Sequence, residues 1–91
     1  MIRLWGIIRK NNKMRQNIVL ELPGEALEDV LLEGVQALCE ALDLPRPVLL
    51  SKHERELMQF HRTRFFPDDF MEPVQLDTFE VEQLLDKKKT R

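Results

Sequence analysis

One cysteine, two histidines, a serine at a helix start and a late run of carboxylates are the side chains in this 91-residue chain with the most chemistry to offer. Cys39 is the sole cysteine, so no disulfide forms within the chain and no cysteine-based zinc site is possible. A lone thiol fits a reducing compartment. On a helix Cys39 lies near Leu32, with Glu28 and Glu40 in its neighbourhood. Acidic neighbours raise a thiol pKa and blunt its reactivity, so a structural cysteine is expected.

His53 and His61 are eight residues apart. On a helix that is two turns, or roughly 12 Å of rise. Two imidazoles so placed cannot share one metal, whereas a spacing of three or four would allow it. His61 falls between Leu57 and Phe65 and is expected to pack at the edge of the core. His53 belongs to a first helical turn and is expected to face solvent or bond a loop. Asp68, Asp69, Glu72 and Asp77 offer oxygen ligands of the kind magnesium and calcium prefer. Their spacing matches no EF-hand loop, and Pro67-Asp68-Asp69 reads as a turn. Ser51 lacks a nucleophile elbow; it opens Ser51-Lys52-His53-Glu54, which has the spacing of a capping box. Three glycines supply no phosphate loop. A small hydrolase or metal-dependent enzyme would need a pocket gathering His61, Asp68, Asp69 and Cys39. No cofactor is expected.

Phe60, Phe65, Phe66 and Phe70 interleave with His61, Arg62 and Arg64. Arginine beside aromatics is the composition of surfaces that bind single-stranded nucleic acid. In a small domain the same phenylalanines are expected in the core.

The charges are sorted. The 14 Lys and Arg and 16 Asp and Glu give a net charge of -2. Residues 1–20, 21–43, 44–66, 67–86 and 87–91 carry +5, -7, +3, -7 and +4 in turn. A basic patch of Arg3, Arg9, Lys10, Lys13, Arg15, Arg55, Arg62 and Arg64 would attract phosphates by releasing counterions. The overall acidity argues against a dedicated nucleic-acid protein. The alternative is complementarity with a protein or a second copy. Its candidate residues are Trp5, Ile7, Arg9 and Arg15 on a hairpin and Asp29, Glu33 and Glu40 on a helix.

These residues need elements to hold them. Ile2–Arg9 and Met14–Leu22 read as strands joined by Lys10-Asn11-Asn12-Lys13, because Asn tolerates the left-handed backbone of tight turns. Ile2, Leu4 and Ile8 fall on one face of the first strand, Trp5 and Ile7 on the other. Glu25–Leu44 carries Leu27, Val30, Leu31, Val35, Leu38 and Leu42 at helical spacing, with Gly34 inside the stripe. Gly34 points to close approach of another element. Val48–Leu50 reads as a short strand, 52–65 as a second helix, and 74–82, extending towards Leu85, as a last strand with a bulge near Asp77-Thr78.

The fold class is α+β: a small two-layer α/β sandwich, order ββαβαβ, whose four-stranded sheet is covered on one face by two helices. A parallel crossover is expected between the third and fourth strands. Residues 1–86 form one domain and 87–91 a basic tail. No stretch approaches the roughly 20 apolar residues of a membrane span, and the N-terminal apolar run is too short for a signal-peptide core. The reading is a cytoplasmic, non-catalytic protein-interaction or regulatory module, with homodimerisation among its forms. Nucleic-acid binding is the alternative, and no membrane partner is expected.

Overall fold

The computed structural model describes residues 1–24 and 26–84. The basic 87–91 segment and Leu85 lie outside the described residues. The chain is a small α+β fold with a four-stranded antiparallel sheet and two helices. Strands β1 (Ile2–Lys10) and β2 (Lys13–Leu22) form the first hairpin. Asn11 and Asn12 take φ of 56° and 64°, the paired left-handed geometry that a two-residue hairpin turn requires. Helix α1 spans Leu27–Ala41 and α2 spans Ser51–Phe60. Strand β3 (Arg62–Phe65) and strand β4 (Thr78–Leu84) follow. The sheet order is β2-β1-β4-β3, so β2 and β3 are its edges.

Alternation sorts the sheet into two faces. Ile2, Leu4, Gly6 and Ile8 of β1 face the helices, as do Ile18, Leu20 and Leu22 of β2, Phe79 and Val81 of β4, and Thr63 and Phe65 of β3. Helix α1 packs across β1 and β2, and α2 packs across β3 and β4. Leu27, Val30, Leu31, Val35, Leu38, Cys39 and Leu42 form the buried stripe of α1, as their spacing predicts. Gly34 lets α1 sit close against the sheet. A Cβ there would stand 2.5 Å from Leu4 Cδ1 and 2.8 Å from Leu22 Cδ1, which is the close approach its place in the stripe implied.

Helix α1 stops at Ala41, short of the expected Leu44. Asp43 turns left-handed with φ 62°. The Leu44 N–H bonds the Cys39 carbonyl at 2.7 Å and the Asp43 N–H the Glu40 carbonyl at 3.2 Å, the paired bonds of a Schellman ending. The fold departs further from expectation in its second half. Val48–Leu50 is not a strand; Pro47 makes one isolated bridge to Phe70, and its ring removes a ladder donor. The second helix ends at Phe60, and Arg62–Phe65 becomes the third strand. It pairs antiparallel with β4, so there is no parallel crossover. Strand β4 begins at Thr78, and Val74 and Leu76 reach the core from the preceding loop. The change of phase at Asp77-Thr78 is therefore the start of a strand. The register shift lies instead between Ile8 and Arg9, opposite Arg15.

Candidate functional site

A broad concavity is built where α2 turns into β3. The His61 N–H caps the helix by bonding the Leu57 carbonyl at 3.0 Å, and its φ of 63° reverses the chain. The His61 carbonyl then accepts the Gln83 N–H at 2.7 Å, which ties the new strand to β4. Antiparallel pairing alternates which residues turn their backbone groups to the neighbouring strand. With His61 turned towards β4, Arg62 and Arg64 turn their N–H and C=O groups to the open edge. A groove of about 650 Å³ runs along that edge. Lys52, Glu56, Gln59 and Phe60 of α2 form one wall, and Arg62, Thr63, Arg64, Phe66, Glu80 and Glu82 line the rest. Phe60 is 64% exposed and Phe66 46%, so the rim is aromatic.

Charges in the groove are partly spent inside the molecule. Glu80 Oε2 receives Arg9 Nε at 3.0 Å and Arg64 Nε at 3.6 Å. The Thr63 hydroxyl donates to Glu56 Oε1 at 2.6 Å. Among the described residues Lys52 and Arg62 have no carboxylate within ion-pair distance. The groove therefore keeps two cations outside any ion pair beside its aromatic rim, Arg62 with Glu82 opposite it on β4.

The two histidines exchange the places expected of them. His53 is fully buried, stacked on Phe65 with ring centroids 4.1 Å apart. His61 is exposed, its Nδ1 3.3 Å from Gln83 Oε1, because it lies beyond the helix end and outside the stripe of Leu57 and Phe65. The Leu50 N–H donates to His53 Nδ1 at 3.0 Å, so the helix is capped one residue earlier than the Ser51 spacing implied. Of the four clustered phenylalanines, Phe65 and Phe70 are core, and Phe60 and Phe66 are surface.

The structure places the reactive side chains in turns and in the core. Asp69 Oδ2 accepts the Phe66 N–H at 2.9 Å, and Asp77 Oδ2 accepts the Asn11 N–H at 2.8 Å. These carboxylates serve turns. Among the described residues no three His, Cys, Asp or Glu side chains converge in a way that would hold a metal ion. Cys39 is 1% exposed, and burial pushes its thiol up to about 12. The folded protein is accordingly expected to leave Ellman's reagent unreacted at neutral to mildly alkaline pH. One equivalent of thiol then appears in denaturant. Fast native-state labelling at Cys39 would contradict that burial.

The residues singled out for partner binding divide between two sides of the molecule. Trp5, Ile7 and Arg9 lie on the sheet face away from the helices, with Arg15 at the bulge beside them. Asp29, Glu33 and Glu40 are exposed on α1, on the helical side. Trp5 is half-buried, and its Nε1–H donates to Asn17 Oδ1 at 3.1 Å. Ile7 is only 2% exposed, yet it stands apart from the main core. Of the basic residues, Arg3, Arg9, Arg62 and Arg64 share this open face, with Glu80 and Glu82 between them. Lys10 and Lys13 flank the hairpin turn, and Arg55 is exposed on α2. A single helix over 52–65 would leave no such groove; the helix ends at Phe60 and Arg62–Phe65 is a strand. The alternation of Arg62-Thr63-Arg64-Phe65 was the available signal.

No described helix is long and apolar enough to cross a membrane. The chain matches no protein-family model, and no curated protein or solved structure matches it significantly.

Proposed function

We propose that this chain is a non-catalytic protein-interaction module that takes an extended, acidic segment of a partner protein as a further strand beside β3. One observation carries the reading. The outward backbone groups of Arg62 and Arg64 lie in a groove with exposed Phe60 and Phe66 on its rim. Backbone groups of an edge strand supply affinity to an added strand, and flanking side chains supply selectivity. Lys52 and Arg62 favour carboxylates on that segment, while the two phenylalanines favour an apolar side chain near each end.

Selection of a displayed library of random twelve-residue peptides on the full chain tests this. Enriched peptides are expected to combine acidic and apolar residues and to shift the amide resonances of Arg62 and Arg64. Phe60→Ala with Phe66→Ala alters only exposed rings and is expected to weaken such a peptide by about tenfold or more, as loss of an aromatic anchor does. No enrichment, or resonance shifts confined to another surface, would overturn the reading.

A second reading has its own observation. Trp5 and five arginines, Arg15 at the bulge among them, share the open sheet face, and Arg62 and Arg64 line the groove with Phe60 and Phe66. Glu80 and Glu82 run between those arginines and oppose a backbone charged at every phosphate more than a peptide with one or two carboxylates. A labelled single-stranded oligonucleotide at about 50 mM salt separates the readings, since phosphate-driven binding is strongest at low salt.

A further inference from the structure

We infer that the chain pairs with a second copy of itself through β2, edge to edge and antiparallel, about a two-fold axis at Ile18. This surface is the opposite edge of the sheet from the groove, so it does not depend on peptide binding there. Strand β2 is ten residues long and forms an edge of the sheet. A long edge with apolar residues in its middle is a template for pairing, and proteins blunt such edges with short strands, charges or bulges. Here Lys13 and the register shift beyond Arg15 limit one end of the edge, leaving Arg15–Glu21 open to pairing. Asn17-Ile18-Val19-Leu20 lies bare of charge, and Val19 is 46% exposed on the face away from the helices.

The charge pattern says which occupant fits. Lys13 and Arg15 stand at one end of β2 and Glu21 at the other. Two copies run parallel would set like charges together. An antiparallel pair centred on Ile18 sets Arg15 of each copy opposite Glu21 of the other, and symmetry makes the contact twice. Both residues fall on the same side as Val19 by strand alternation. The same register sets Ile18 against Ile18 and Asn17 against Val19. An interface of this kind is closed and self-complementary, and it yields one continuous eight-stranded sheet.

Sedimentation equilibrium of the full chain, with three variants, tests the register. The wild type is expected to be a dimer at tens of micromolar. Arg15→Glu and Glu21→Arg each replace two attractive cross-strand pairs with two repulsive ones and are expected to raise the dimer Kd by about tenfold or more. The Arg15→Glu/Glu21→Arg double variant restores both pairs and is expected to return most of that affinity. Rescue by the double variant also separates lost pairing from lost folding. A wild type that stays monomeric to several hundred micromolar overturns the inference. So does a dimer whose Kd ignores both single changes, or a double variant no tighter than either single one.

Discussion

Replacing Phe79 with alanine is expected to cost the fold about 3–5 kcal/mol, against a total stability of about 5–15 kcal/mol for a domain of this kind. Phe79 is fully buried in β4, at the junction of everything the core contains. It stands opposite Ile8 on one neighbouring strand and Phe65 on the other. Its ring centroid is 5.9 Å from that of Phe65 and 6.2 Å from that of Phe70. Gly6 leaves room for it: a Cβ on Gly6 would stand 3.2 Å from Phe79 Cε1. Its backbone is paired on both sides, so the sheet cannot collapse into the space the ring vacates. Urea melts are expected to show a much lower midpoint with an unchanged slope. Phe66→Ala, at an exposed position, is expected to stay within about 0.5 kcal/mol of wild type. Equal costs for the two would mean that the aromatic cluster is not the centre of the core.

The charge sorting along the chain becomes intelligible in the sheet order. Basic β1, acidic β4 and basic β3 are far apart in sequence and adjacent in space. Glu80 receives Arg9 from one side and Arg64 from the other, and Arg62 stands opposite Glu82. Blocks of opposite sign are thus cross-strand partners on the open face, where opposite charges stabilise and like charges do not. The acidic residues of α1 take no part in this, and they remain on the helical side.

What could be read beforehand was whatever had a long period or a distinctive turn. The stripe of α1 repeats over four turns, and the Asn11-Asn12 pair admits few conformations. Residues 57–65 offered no such signal. Leu57, His61 and Phe65 recur at helical spacing, while Thr63 and Phe65 recur at strand spacing, and a short apolar run fits both periods. The backbone reversal at His61 decides between them. That reversal also moves His61 out of the core and creates the β3 edge, so a single misread residue concealed the whole groove. The phase of β4 was hidden for a related reason. Leu76 is buried from a loop, and an apolar residue there looks like one more strand position.

His53 makes the fold sensitive to acid. Its Nδ1 accepts the Leu50 N–H, so the ring proton sits on Nε2. Nε2 is buried without a hydrogen-bond partner, and Asp69 Oδ2 is 3.7 Å away, beyond bonding reach. Burial pushes the His53 pKa below its ordinary 6.5; the Lys52 charge acts the same way, and the carboxylates of Asp69 and Glu56 only partly oppose it. The folded chain therefore holds His53 neutral. Above about pH 6.5 the unfolded chain holds it neutral too, so stability there owes nothing to its titration. Below 6.5 the unfolded chain takes up a proton that the fold resists, and stability falls until the depressed folded pKa is reached. Protonation of Nδ1 would in addition break the bond to Leu50 at the start of α2. His53→Ala is expected to cost about 3–5 kcal/mol, as loss of a packed ring does, with the Leu50 N–H left unpaired as well. His53→Phe keeps the stack on Phe65 and loses only the acceptor, at about 1–3 kcal/mol. Melts of this variant from pH 8 to pH 5 are expected to be flatter than those of wild type. The same pH slope in both proteins would show that the buried imidazole is not the group that titrates.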